Sequence, residues 1–365
     1  MRDIPPDHVE SATLEAMRAG GHEQVALWSD PEVGLRAIIA IHSTRLGPSL
    51  GGTRFYPFAD EGAALADVLR LSRAMSYKSA AAGLDLGGGK AVVIGNPRQI
   101  RSDDLLRSYA HFVDSLSGRY YTTEDVGTTV ADMEVIAGVT PFVTGRAVEN
   151  GGSGDPSPAT AVGVYEAMRA VGAHCWGSAD LADRHVVVSG VGKVGSALVR
   201  HLLDAGARVT AADVNPGALA ALPDGVAVVE PEKAHAVACD VFAPCAMGAA
   251  LNPTTIPELQ CSAVVGSANN QLASPEDGDR LAAAGIIYVP DFVANAGGVV
   301  NIAFEMGRAY SWADAEAAVR RIFDTTIAVL ETADHETIST AAAADRIAAD
   351  RIARGVKTGL PPLSS

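Results

Sequence analysis

His185-Val186-Val187-Val188-Ser189-Gly190-Val191-Gly192-Lys193-Val194-Gly195 is the stretch that decides the fold. Its apolar start reads as a buried strand, and the residues through about Ala205 read as a helix. Ala207–Ala212 is the next strand, ending at Asp213. Between strand and helix stands Gly-x-Gly-x-x-Gly, the spacing that opens a dinucleotide-binding βαβ unit. The glycines permit a tight turn, close approach of a pyrophosphate and packing of helix on strand. Free N–H groups at the helix start then meet the phosphate charge. Gly190, Gly192, Lys193, Val194, Gly195 and Asp213 are therefore candidate cofactor residues. Asp213 can accept both hydroxyls of an unphosphorylated ribose and would repel a 2′-phosphate, so NAD is expected over NADP.

Downstream, three more strands are expected, at Val241–Cys245, Val264–Gly266 and Ile286–Val289, each running into a polar or glycine-rich loop. In an open parallel sheet, ligands bind outside those carboxyl ends. Asn269 and Asn295 lie in such loops, though asparagines serve equally as turn-formers there. Upstream, Gly151-Gly152-Ser153-Gly154-Asp155-Pro156-Ser157-Pro158 reads as a linker, with Ser157 capping a helix that starts at Pro158. The expected fold is α/β in two domains with a cleft between them. Residues 1–150 form a substrate-binding and oligomerisation domain and 151–330 a Rossmann domain. The helical tail, about 331–365, is expected to pack back on the first.

Within residues 1–150, two lysines flank an apolar, glycine-rich passage, Lys78-Ser79-Ala80-Ala81-Ala82-Gly83-Leu84-Asp85-Leu86-Gly87-Gly88-Gly89-Lys90. Leu65, Val68, Leu71 and Met75 recur at helical spacing, and Lys78 falls on the same face. Lys90 opens the apolar strand Ala91–Ile94. Burying an ammonium costs free energy unless an anion meets it, and desolvation lowers its pKa toward the range useful for proton transfer. The alternative is that both stems snorkel to solvent. The glycines favour close approach of a ligand. A phosphate loop is excluded, since Leu84 and Ala91 stand where that motif needs Gly and Ser or Thr. Asp125, in Thr122-Thr123-Glu124-Asp125-Val126-Gly127-Thr128, either joins this chemistry or caps the helix near Thr129–Ile136. The stretch Leu46–Arg54 reads as turn-rich.

At 365 residues, two cores are the natural expectation. The balance of 28 basic against 43 acidic residues, −15 net, argues against nucleic acid or an anionic membrane as partner. No apolar run would span a bilayer, and Met1–Pro6 starts no signal peptide. Cys175, Cys239, Cys245 and Cys261 lack metal-site spacing, so reduced thiols in a cytoplasmic protein and no metal are expected.

Leu50-Gly51-Gly52-Thr53-Arg54, Met75-Ser76-Tyr77-Lys78, Gly87-Gly88-Gly89-Lys90, Glu124-Asp125-Val126-Gly127-Thr128 and Asn295-Ala296-Gly297-Gly298 together resemble the glutamate/leucine/phenylalanine/valine dehydrogenase family, most closely its branched-chain members. The likeness runs from Leu46 to Glu305. It implies oxidative deamination of an L-amino acid to a 2-oxo acid and ammonia with reduction of NAD, by a homo-oligomer. It further implies that Lys78 binds the substrate carboxylate, that Lys90 is catalytic and that Asp125 is its proton-transfer partner. Gly51 and Asn269 would hydrogen-bond the substrate, and Thr160 would meet the nicotinamide amide. Leu50 stands where glutamate-specific relatives carry a lysine. Thr123 and Ile302, with Val299 beside them, add volume relative to leucine-preferring relatives. Valine is therefore expected ahead of leucine and isoleucine. The alternatives are a leucine or phenylalanine specificity, or a non-catalytic NAD sensor that would leave Lys90 and Asp125 without a task.

Overall fold

The computed structural model describes residues 12–307 and 309–355. Met1–Pro6 and residues 356–365 of the expected tail lie outside the described residues. The chain divides into two units. One takes the described residues through Ala80, Leu84–Gly154 and the stretch from Arg351; the other takes Ala81–Gly83 and Asp155–Asp350. The boundary at Gly154 falls inside the Gly/Ser/Pro stretch. Residues 331–350 group with the second unit rather than the first, because Ala341 packs on that unit's core. Arg351 belongs to the first unit and donates to the carbonyls of Ala80 (3.2 Å) and Leu84 (2.5 Å).

The first unit is built on a mixed sheet of β1 (Gln24–Asp30), β2 (Leu35–Ser43), β3 (Ser49–Tyr56), β4 (Gly87–Ile94) and β5 (Tyr120–Glu124), in the order β1-β2-β4-β3-β5. Strands β3, β4 and β5 run parallel; β1 and β2 run antiparallel to their neighbours. Helices cover both faces, as the alternation along each strand requires. Ile39, Ile41, Phe55, Ala91, Val93 and Tyr120 pack with Leu105, Tyr109 and Met133 of the helices Asp103–Asp114 and Val130–Ala137. Ile38, Ala40, Val92 and Ile94 pack on the opposite face against Ala64, Val68 and Leu69 of the helix Glu61–Ala81.

Two readings of this region change. Leu46–Arg54 is mostly strand β3, not a succession of turns. The glycines 87–89 belong to β4 and admit the chain's own atoms rather than a ligand. A Cβ on Gly87 would lie 1.9 Å from the Ser43 carbonyl oxygen, and one on Gly88 2.0 Å from the Ser76 nitrogen. The helix packing on this glycine run explains its buried stripe, which is Val68, Ser72, Ser76 and Ser79. Leu65, Leu71, Met75 and Lys78 flank that stripe and are only half-buried.

The second unit holds six parallel strands: β6 (His185–Ser189), β7 (Arg208–Ala212), β8 (Ala227–Val228), β9 (Cys239–Pro244), β10 (Cys261–Val264) and β11 (Ile287–Tyr288). Their order, β11-β10-β9-β6-β7-β8, is that of a doubly wound dinucleotide-binding sheet, with the order reversing between β6 and β9. Val187, Phe242 and Val264 are central to one core of this sheet, with Leu281 of the helix Glu276–Ala283. The preceding helix runs Ser157–Trp176 with Pro156, not Ser157, at its cap position.

Candidate active site

Alternation along the strands places Leu50 and Arg54 of β3, Lys90 of β4 and Thr123 of β5 on one face of the first sheet, the face covered by Glu61–Ala81. Lys90 is 6% exposed. Its Nζ meets Asp125 Oδ2 at 3.0 Å, just beyond the end of β5. Burial lowers the Lys90 pKa, and the attraction of Asp125 offsets this only in part. Burial pushes Asp125 up, yet Lys90 and Arg54 outweigh it and hold the carboxyl below its ordinary value. The site thus holds an ionised carboxylate beside an ammonium whose proton is loosened. That is an arrangement for moving protons at a substrate nitrogen or a water.

Asp125 does not cap the following helix; Thr129 does, in a reciprocal pairing with Asp132. The Asp125 N–H instead donates to Thr128 Oγ1 at 2.9 Å, and the Thr128 hydroxyl donates to the Thr53 carbonyl at 3.0 Å. Gly52 must be glycine here, since a Cβ would stand 2.6 Å from the Glu124 carbonyl oxygen. Leu50 is fully buried, and Thr123 is 7% exposed with Gly145 packed beside its hydroxyl. The Gly51 carbonyl accepts from the Tyr120 hydroxyl at 2.6 Å. Lys78 shares the half-buried margin of its helix with Leu71 and Met75.

In the second unit the glycine motif joins β6 to the helix Lys193–Asp204. Gly190 adopts φ +101°, and a Cβ on Gly195 would lie 2.0 Å from the Gly190 carbonyl oxygen, so strand and helix approach as the spacing requires. Beside Gly192, by contrast, a Cβ would meet nothing within 4 Å. Asp213 closes the loop: Oδ2 accepts from the Val191 N–H at 2.7 Å and Oδ1 from the Asn215 N–H at 2.8 Å. A cavity of about 310 Å³ opens there, lined by Gly190, Asp213, Val214, Pro244 and Met247 among others. Its place at the β6/β9 reversal and its carboxylate fit the adenosine half of a nicotinamide dinucleotide. Lys193 pairs with Asp155 at 3.0 Å, and Val194 follows it in the first turn.

Asn295 Nδ2 donates to Asn269 Oδ1 (3.0 Å) and to the Ser267 carbonyl (3.1 Å), while its own Oδ1 is buried without a protein partner. These asparagines form one amide network rather than separate turns. Thr160 Oγ1 donates to the Pro156 carbonyl at 3.0 Å. Val299 and Ile302 are buried on the short helix Gly297–Ala303.

Two residues given no role by the sequence belong to this site. Arg54 Nε meets the same Asp125 oxygen as Lys90, at 3.0 Å, and its Nη1 meets Asp67 Oδ2 at 2.8 Å. The signal for Arg54 was present: it is the cation of Leu-Gly-Gly-Thr-Arg, on the strand beside β4. Asp67 lacked one, standing on its helix with no motif around it and Glu61 as the other acidic residue.

Residues 22–141 match the model of the Glu/Leu/Phe/Val dehydrogenase dimerisation domain. Residues 151–230 and 217–358 match that of the Glutamate/Leucine/Phenylalanine/Valine dehydrogenase domain. Valine dehydrogenase of Streptomyces coelicolor is 52% identical over 346 residues, 93% of this chain and 95% of that protein. Leucine dehydrogenase of Geobacillus stearothermophilus is 47% identical, covering 92% of each. Among solved structures, L-tryptophan dehydrogenase from Nostoc punctiforme superposes with a TM-score of 0.85 at 42% identity, over 93% of this chain and 98% of that one.

Proposed function

Because the chain belongs to the Glu/Leu/Phe/Val dehydrogenase family across both of its domains, we propose that it oxidatively deaminates a branched-chain L-amino acid, valine ahead of leucine and isoleucine, with NAD rather than NADP. The observation that carries this reading is the buried Lys90–Asp125 pair at 3.0 Å. A nicotinamide, when bound, supplies the hydride acceptor. The protein's own residues do the rest. Lys78 anchors the substrate carboxylate, and the Gly51 backbone and Asn269 add hydrogen bonds. Asp125, held ionised, takes a proton from the substrate amine. Lys90 Nζ takes one from the water that adds at Cα once the imine has formed, Asp125 returns its proton to the amine nitrogen, and as the C–N bond breaks the ammonia leaves with the hydroxyl proton as ammonium.

In the second unit Thr160 and Asn295 serve the nicotinamide amide, and the motif Gly190–Gly195 the pyrophosphate. Asp213 favours NAD, since a 2′-phosphate beside its carboxylate would meet repulsion. Leu50 offers no charge to an acidic side chain, which disfavours glutamate. The volumes of Thr123, Val299 and Ile302 favour valine. A homo-oligomer is supported by the dimerisation-domain match and by the edge strand β1, where Leu27 and Trp28 are exposed. Work in the cytoplasm is supported by four free thiols. Among the described residues no helix is long and apolar enough to cross a membrane.

The test is reduction of NAD at alkaline pH with a panel of L-amino acids. The expected order of kcat/KM is valine, then leucine and isoleucine, then phenylalanine, with glutamate last; tryptophan belongs in the panel because of the Nostoc punctiforme likeness. Phenylalanine, tryptophan or glutamate on top would overturn the substrate reading, and equal turnover with NADP the cofactor reading.

A further inference from the structure

Two cations share one carboxylate oxygen in the first unit. Lys90 Nζ and Arg54 Nε both stand 3.0 Å from Asp125 Oδ2. Arg54 is itself fixed from behind: Nη1 meets Asp67 Oδ2 at 2.8 Å, and Arg70 meets the other Asp67 oxygen at 2.7 Å. All four side chains of the Lys90–Asp125–Arg54–Asp67 chain are less than a quarter exposed. The charged groups that bear on Lys90 are Asp125 from the loop after β5, Arg54 from β3 and Asp67 from the helix Glu61–Ala81.

We propose that Arg54 is a positioning residue of the reaction centre: braced by Asp67, it remains the partner of Asp125 whenever Lys90 gives up its proton. The proposal rests on the deamination reading above. The argument is one of charge. A guanidinium keeps its proton at any working pH, whereas a buried ammonium does not. Were Lys90 the sole partner of Asp125, its deprotonation would leave a buried carboxylate unpaired, a heavy penalty that would hold the proton on the lysine. With Arg54 in place the carboxylate stays paired in both states. Arg54 also repels the Lys90 charge directly, so its presence lowers the pH at which the lysine becomes a base. It does the same for Asp125, keeping it ionised while the lysine cycles.

The experiment is the pH profile of kcat/KM for deamination in Arg54→Met, Arg54→Lys and Asp67→Asn, with melting temperature and NADH affinity measured alongside. In Arg54→Met the alkaline rise should move up by about one pH unit or more. Turnover near neutrality should fall by about tenfold or more and recover in part at higher pH. Arg54→Lys should bring the rise back toward the wild-type position with a lower plateau, because an ammonium lacks the fork that reaches both aspartates. Asp67→Asn should move the rise the other way, since Asp67 favours the charged lysine.

If Arg54→Met and Asp67→Asn both lose melting temperature and plateau rate while the rise stays put, Arg54 is merely structural and the proposal is overturned. If Arg54→Met does not fold, the opposite sign of the Asp67→Asn shift decides; an upward shift there also overturns it. A wild type without turnover would defeat the deamination reading alone. In that case the extent of Lys90 acetylation by acetic anhydride against pH, read by mass spectrometry, takes over. The same upward displacement in Arg54→Met is then required, and its absence rejects the role of Arg54.

Discussion

In the first unit the candidate site is made of side-chain charges taken out of water; in the second it is made of backbone N–H groups and empty space. Lys90, Asp125, Arg54 and Asp67 are ionisable groups whose behaviour comes from burial and from one another. The motif Gly190–Gly195 carries few side-chain atoms, and its chemistry lies in a turn shape, a helix start and a carboxylate at the next strand's end. A charge cluster is sensitive to every proton and every lost partner. A backbone cradle tolerates both but is sensitive to any added atom. The two regions should therefore fail differently under mutation.

The largest effect should come from breaking the charge cluster. Lys90→Ala and Asp125→Asn are expected to lower kcat by about 10²–10⁴-fold, while fluorescence titration still shows NADH bound by the second unit. Near-normal kcat in Lys90→Ala would erase the contrast. Lys78→Ala comes next. With Lys78 as the proposed carboxylate anchor, its loss removes ground-state binding, so steady-state kinetics should show KM raised by at least about tenfold and kcat lowered less. A fall in kcat with unchanged KM would instead place Lys78 with the proton-moving groups.

Asp213→Ala sharpens the other side. It removes the acceptor for the Val191 N–H and, on the proposed NAD reading, the repulsion of a 2′-phosphate. The preference for NAD over NADP should narrow by about tenfold, largely through a weaker KM for NAD, with the alkaline pH profile of the first unit unmoved. A shifted profile would mean that the two regions are not independent. The smallest change is Thr123→Ala, which frees the volume of a side chain only 7% exposed. The ratio of leucine to valine kcat/KM should rise by about tenfold, as one methylene is worth roughly 1–3 kcal/mol in such a pocket. No change in the ratio would remove Thr123 from the determinants of chain length.

How much of this was legible differs between the units for the same reason. The second is announced by a local pattern, since strand, glycine spacing, helix and terminal Asp213 lie within thirty residues or so, and each recurs where sequence periodicity places it. In the first, contacts are made by residues far apart in the chain. Leu46–Arg54 reads as turns because its glycines are turn-formers by local propensity. It is a strand because Gly51 packs against the Gly89 carbonyl of β4. Lys78 falls by helical spacing on the face of Leu71 and Met75, but the helix turns its serines inward to lie on Gly88, and that choice is visible only once the sheet exists. The pairing of Lys90 with Asp125 follows from chemistry and resemblance; the bracing by Arg54 and Asp67 needed coordinates.

The close approaches around β4 have one more consequence, for how this chain can vary. At Gly51, Gly87 and Gly88 a Cβ would come within 1.8–2.0 Å of a carbonyl oxygen or an amide nitrogen of the main chain. Backbone atoms held in a sheet and a helix cannot step aside as the tip of a side chain can. No other amino acid is admissible at these positions singly, and no change in one neighbouring side chain would compensate. The scaffold that carries Lys90 is thus closed to gradual drift at these glycines, whereas neighbouring side chains such as Leu50 and Thr123 can be exchanged without moving the main chain.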